Sequence, residues 1–398
     1  MRYYQDLSEA RPDQFIRYDY PKHLDRSRQA VADYLHAPVE ACVFVPNATT
    51  GINIVLRNLV YEPGDVIIYF ATIYGACEKT VSYITETTPA TSRKIQYQYP
   101  VSDAWLCSAF EETIQTIKSE GKNPRLAIFD TIVSFPGARM PFEKLTALCH
   151  KHEVQSCIDG AHGVGHIELN LGELDCDYFV SNCHKWLHVP RGCAVFYVPV
   201  RNQHLIRSTL PTSHGFAPKP VEGAEAINNP LPPSAKSPYI TNFEFVGTID
   251  NSPFLCVPAA LEWRKKLKWK DLEGEEAIMA YTHSLSREIG KVTAQILGTE
   301  VMENEEGTLG NCNLSMVRLP LSFAGDAGND AATANKISQW IAETLVKEYN
   351  TFIGIVFYID SWWVRLSSQV YVTAQDFEWG AGVLKEVCEG VKKGDWKK

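Results

Sequence analysis

Between about Val39 and Phe254, short runs of β-branched and aromatic residues alternate with longer stretches whose apolar positions recur at helical spacing. That alternation predicts an α/β unit. The runs Cys42–Val45, Asp65–Phe70, Leu126–Asp130, Val154–Ile158, Tyr178–Ser181 and Cys193–Val198 read as strands. Over residues 142–150, Leu145, Leu148 and Cys149 fall at i, i+3 and i+4 and mark one buried helix face. Residues 52–59 carry a second helical run. From Val257 a long helical pattern with Ala259, Ala260, Trp263 and Leu267 leads towards a smaller C-terminal domain. The predicted division is a large domain over 36–256, with 1–35 and 257–398 forming a small α+β domain. The Pro- and Ser-rich stretch 228–234 reads as an exposed loop, and the tail 392–398 as frayed.

Composition narrows the function classes. The chain has 398 residues, enough for two domains at roughly 150 residues each. The net charge of −9 argues against a broad nucleic-acid-binding surface, which needs basic excess. It leaves room for a local site taking one small phosphate. The eleven cysteines are scattered, form no C-x-x-C pair and mostly lie in apolar runs. Reduced core thiols and a cytosolic setting are the expectation. No apolar run is long enough to span a bilayer, and the start Met1-Arg2-Tyr3-Tyr4 has no apolar stretch to act as a secretory signal. Neither a nucleic acid nor a membrane is expected as a partner.

Ligands of open parallel sheets bind beyond the carboxyl ends of the strands, so the residues after each strand are the candidates for chemistry. Lys185 follows the run Tyr178–Ser181 within Asn182-Cys183-His184-Lys185-Trp186, where a Schiff base can form. A lysine is otherwise a solvated surface residue. Asp159 ends another strand and is placed to pair with a pyridinium nitrogen; a turn aspartate is the plainer alternative. Val45-Pro46-Asn47-Ala48-Thr49-Thr50-Gly51 stands between a strand and a helical run, which suits either an anion site or an ordinary helix cap. Tyr74, just past Asp65–Phe70, is placed to stack on a flat ring or to pack in the core. Arg365 sits in the apolar run Trp362-Trp363-Val364-Arg365-Leu366, where an unpaired charge is costly. It reads as a carboxylate-binding arginine or as half of a surface ion pair.

The order strand–Asn47-Ala48-Thr49–helix, strand–Tyr74, strand–Asp159-Gly160-Ala161-His162, strand–His184-Lys185 resembles the class V aminotransferase-fold enzymes that use pyridoxal 5′-phosphate (PLP). Tyr74-Gly75-Ala76, His184-Lys185-Trp186, Gly247-Thr248-Ile249-Asp250 and Arg365-Leu366-Ser367 extend the resemblance over nearly the whole chain. The match is nearest to the fungal isopenicillin-N-epimerase-like branch, which includes hercynylcysteine sulfoxide lyases and a PLP cyclase of loline alkaloid synthesis. The resemblance implies fold type I, with a mainly parallel central sheet. It implies that Lys185 carries the cofactor and acts as base, that Asp159 pairs with the ring nitrogen, and that Tyr74 stacks on the ring. His162 and Ser134 are expected near the phenolic oxygen, with Ala48, Thr49 and His184 holding the phosphate and Asn47 a further cofactor-binding residue. Thr248 is expected to reach the phosphate of a neighbouring subunit, making the active unit a homodimer, and Arg365 to bind the substrate carboxylate. The implied reaction is β-elimination at a C–S bond of an amino acid. An alkaloid-type cyclase, an epimerase, an aminotransferase or a catalytically impaired binding protein are the alternatives. Relatives usually open with a segment resembling Asn-x-Gly-Ser-x-Gly, which this chain begins after, and Tyr371-Val372 stands where they often carry Tyr-Asn.

Two other chemistries fit less well. His162, His166, Cys183, His184, His188 and Cys193 are the densest group of metal-ligating types. However, a cation, Lys185, stands where a zinc hydrolase needs its glutamate, so no metal is expected. Gly163-Val164-Gly165-His166-Ile167-Glu168 lacks the third glycine of a dinucleotide site.

Overall fold

The computed structural model describes residues 1–216, 218–219, 221–223, 232 and 235–397. The predicted loop over 228–234 lies outside the described residues except for Pro232.

A seven-stranded sheet organises the first of two compact units, which comprises 1–96, 107–131 and 141–266. Its strands are β1 (Cys42–Val45), β2 (Asp65–Phe70), β3 (Thr91–Ile95), β4 (Asn123–Asp130), β5 (Gln155–Asp159), β6 (Tyr178–Ser181) and β7 (Ala194–Tyr197). They run in the order β1-β7-β6-β5-β4-β2-β3. The block from β6 to β3 is parallel, while β7 is antiparallel to both of its neighbours. Every residue of β1, β2, β6 and β7 is buried, as the unbroken apolar runs require for a sheet covered on both faces. The fold is α/β with a mostly parallel central sheet, consistent with fold type I.

Helices cover the sheet where the 3.6-residue pattern predicts them. The helix Ala48–Asn58 buries Ile52, Ile54, Val55 and Leu56, and packs so closely that a Cβ on Gly51 would lie 2.5 Å from Val180 Cγ2 of β6. The helix Phe142–His152 buries Phe142, Leu145 and Cys149. β3 has no counterpart among the predicted strands. Its residues Thr91-Ser92-Arg93-Lys94 are polar and exposed or half-buried, because it lies at an edge of the sheet and, among the described residues, pairs only with β2.

The long helix expected from Val257 is instead short. It spans Val257–Arg264, and the chain then forms a small hairpin, β8 (Lys268–Trp269) with β9 (Leu272–Glu273). The long helix starts only at Gly274 and ends at Leu297, where Gly298 takes the left-handed conformation (φ 67°).

The second unit comprises 97–106, 132–140 and 267–398. Residues 1–35 thus group with the first unit, and the C-terminal part of the second starts at Leu267, against the expected 1–35 and 257–398. In this unit β10 (Leu314–Arg318), β12 (Ser361–Ser367) and β11 (Gly354–Tyr358) form an antiparallel sheet. The helices Ala331–Tyr349 and Ala374–Lys393 share its core, with Ile337, Ile341, Leu345, Trp362, Val364, Leu384 and Cys388 all buried. Among the described residues, no helix is long and apolar enough to cross a membrane.

Candidate active site

Lys185 lies on a single helical turn, Cys183–Trp186, just beyond the end of β6. Its Nζ is 3.1 Å from His162 Nε2. His162 belongs to the turn that follows β5, and its Nδ1 accepts from Trp186 Nε1–H at 3.1 Å. The turn is pinned to β6. Val164 N–H donates to Ser181 Oγ at 2.8 Å, and Ser181 Oγ–H donates to Gly160 O. Gly165 takes φ +78°, and a Cβ there would stand 2.6 Å from the Trp186 backbone. Only glycine fits that combination of backbone conformation and close approach.

Asp159 is almost fully buried at the tip of β5. Its Oδ1 accepts from Ala161 N–H at 2.9 Å, and its Oδ2 accepts from the Cys77 thiol at 3.3 Å. Cys77 lies in the first turn of the helix Gly75–Thr87, which Tyr74 immediately precedes. One helix start therefore carries the half-exposed Tyr74 ring and the thiol donor to Asp159. Asp130, at the end of β4, faces Asp159 in register across the parallel pair and is also buried. Burial pushes the Asp159 carboxyl above its ordinary value, opposed by the donors from Ala161 and Cys77 and by Lys185. Asp130 is pushed well up by burial and then by Asp159, with only Lys185 opposing. Of the two, Asp159 is the carboxylate equipped to stay ionised.

The start of the helix Ala48–Asn58 forms a second cluster. Asn47 Oδ1 accepts from Thr50 N–H at 2.8 Å and caps the helix. Ala48 N–H donates to Asn182 Oδ1 at 2.9 Å, tying this helix start to the segment that carries Lys185. The Thr49 amide lies between these two engaged positions. His184 turns Nδ1 to the backbone of Cys193, 2.8 Å from its carbonyl oxygen. Burial lowers the His184 pKa, an effect that outweighs the opposing backbone hydrogen bond. Thr248 is exposed on a bend.

In the second unit, Arg365 of β12 donates from Nη1 to Ser134 O at 2.7 Å and to Ser134 Oγ at 3.3 Å. Its guanidinium carbon lies 4.7 Å from the Phe135 ring centroid. It is not the surface ion pair weighed as an alternative. Its buried Nε has no hydrogen-bond partner among the described residues, and desolvation lowers its pKa.

The structure thus brings together Lys185, His162 and Asp159 in one group, Asn47, Ala48 and Thr49 at one helix start, and Ser134 with Arg365. Cys77, Asp130, Asn182 and Trp186 escaped the sequence reading as functional residues, though Trp186 stood in the quoted motif. Among the described residues, no group of three or more His, Cys, Asp and Glu side chains is placed to hold a metal. His184 and His188 instead spend a nitrogen on the Cys193 backbone and on Arg264.

The family model for class-V aminotransferases matches residues 16–315. The L-cysteine desulfhydrase-like protein lolT1 of Epichloe uncinata is 39% identical, covering 98% of this chain and 89% of its own length. The hercynylcysteine sulfoxide lyase of Schizosaccharomyces pombe is 28% identical over 96% of this chain and 88% of its own. Among solved structures, the cystine C-S lyase C-DES in complex with cysteine persulfide superposes with a TM-score of 0.72 at 18% identity. That match covers 92% of this chain and 87% of the C-DES chain.

The residues present fit PLP. Asp159, a buried carboxylate with two donors among the described residues, suits a cationic ring nitrogen. The amide and hydroxyl of Thr49 lie in the first turn of a helix, where an anion is stabilised. Arg365 Nε is an orphaned buried donor suited to a carboxylate. This chain belongs to the class-V aminotransferase family, and pyridoxal 5′-phosphate is its cofactor.

Proposed function

We propose that the chain is a C–S lyase that removes the sulfur substituent of an S-substituted L-cysteine or its sulfoxide by β-elimination. The Lys185 amine in contact with His162, beside buried Asp159 at the sheet's carboxyl edge, carries this reading. The relatives named for cysteine desulfhydrase and sulfoxide lyase activity support it. The balance for a thioether is R–S–CH2–CH(NH3+)–COO− plus water giving R–SH, pyruvate and ammonium; a sulfoxide gives R–SOH in place of R–SH.

Bound here, the cofactor supplies an electron sink for the pair left when the Cα–H bond breaks. Arg365 binds the substrate carboxylate through its guanidinium. Lys185, its amine freed by the incoming substrate, takes the α-proton as general base. Asp159 presents its negative charge to the ring nitrogen, with Cys77 and Ala161 steadying that charge. His162 would serve the phenolic oxygen and Tyr74 the ring face. Asn47, Ala48, Thr49 and His184 form the phosphate end. We further propose a homodimer in which Thr248 reaches the partner's phosphate.

The test begins with the protein reconstituted with PLP. A visible absorption band that borohydride removes, and that Lys185→Ala lacks, is the expected result. Wild-type protein given a cysteine sulfoxide should then release pyruvate and ammonia in equal amounts. Substrate consumed without either product would replace elimination with epimerisation or cyclisation.

A further inference from the structure

Trp186 follows the reactive lysine directly, and its chemistry dictates a proton position. An indole N–H donates and never accepts, so His162 Nδ1, 3.1 Å from Trp186 Nε1, must offer its lone pair. The ring's one proton is then on Nε2, the atom 3.1 Å from Lys185 Nζ. An ammonium at Lys185 would need an acceptor at Nε2. That would leave lone pairs on both ring nitrogens, an imidazolate, which is out of reach near neutral pH. Both contacts are satisfied together only when His162 Nε2–H donates to an uncharged Lys185 amine.

The indole is itself held firmly. Its ring packs against His166 with centroids 3.9 Å apart. The Trp186 backbone carbonyl accepts from Arg264 Nη1 at 2.7 Å, and the same guanidinium reaches Gly165 O at 3.2 Å. Asp130 and Asp159, from β4 and β5, and His184, from the lysine's own turn, also act on Lys185 electrostatically. The Asp159 carboxylate favours a charged amine, so something must act against it if the amine is to stay neutral.

We propose that Trp186 is a positioning residue that locks His162 in the Nε2–H tautomer and thereby holds the Lys185 amine uncharged and reactive. The inference rests on Lys185 being the reactive lysine of the proposed lyase. It adds how that lysine reaches the protonation state in which it can act as nucleophile and base.

The test uses the full-length chain stripped of cofactor and follows carbamylation of Lys185 by cyanate, read by peptide mass spectrometry across pH. Trp186→Phe frees Nδ1 and lets Nε2 accept from an ammonium. The amine pKa should rise by at least one unit, with carbamylation near pH 7 slowing about tenfold. In a His162→Asn background the same substitution should change nothing further. An unchanged rate in Trp186→Phe would overturn the proposal, as would an equal slowing in both backgrounds, which a packing role would produce. Should the variant fail to fold, 15N-histidine spectra of the wild-type chain decide. His162 should keep Nε2 protonated and Nδ1 bare between about pH 6 and 9, and a protonated Nδ1 refutes the lock. Neither readout uses a sulfur substrate, so a failed lyase assay and a failed lock are told apart.

Discussion

Asp130 and Asp159 end neighbouring strands in register, both buried. Two carboxyls so placed share their titration, and the donors decide the outcome. Asp159 has Ala161 N–H and the Cys77 thiol, so Asp130 keeps the proton. A carboxyl raised by folding binds a proton that the unfolded chain has already released. Stability therefore falls as pH rises from about 4, the ordinary aspartate value, towards the raised one. Asp130→Asn removes that loss, and the gap in thermal midpoint between variant and wild type should widen in the variant's favour from about pH 4 to 7. Parallel pH profiles would show that Asp130 ionises normally. Asp159 was legible because it ends a readable strand, and Lys185 because it follows one within a few residues. Cys77, Asn182 and the partners of Trp186 were not, because each meets its partner across the sheet or on another element. Spacing along the chain does not encode those meetings.

Elements with unbroken apolar runs declared themselves. β1, β2 and β6 fall on their predicted bounds, since burial on both faces leaves a composition that nothing else explains. β3 did not, because an edge strand protects its open side with polar residues and loses the signal. The helix Val257–Arg264 was over-extended for a different reason. Arg264 reads as a polar surface position, yet its side chain is fully buried. It donates to Trp186 O and Gly165 O and contacts His188 Nδ1 at 3.1 Å. Replacing it by methionine preserves much of the packing and strips donors from buried carbonyls. The expected cost is about 2–4 kcal/mol in denaturant unfolding. A loss under ~1 kcal/mol would show that those carbonyls find other partners.

For the whole molecule, the order of motifs was readable and the limits of the two units were not. Segments 97–106 and 132–140 join the second unit although they sit between strands of the first sheet in sequence, a rearrangement that hydrophobic periodicity cannot announce. Oligomeric state is a property at this scale, and Thr248 gives it a test. A carboxylate at that exposed position would repel a neighbour's phosphate, so Thr248→Asp should raise the PLP dissociation constant measured by equilibrium dialysis by about tenfold or more. Sedimentation should still report a dimer. Unchanged cofactor affinity would remove Thr248 from the phosphate site.

The first turn of the helix Gly75–Thr87 follows Tyr74 directly and contains Cys77, three residues further on. The proposed ring contact and the support for the Asp159 charge therefore ride on one rigid rod. Shifting that rod by a fraction of an ångström would move the clamp on the ring's face and the thiol that supports the counter-ion in step. Neither can be retuned alone. Divergence of chemistry on this frame is accordingly cheaper elsewhere, in the 135–139 segment and around Arg365, where a change of grip leaves the electron sink untouched. A new catalyst made from this chain should be sought by randomising those positions while leaving 74–77 as they stand.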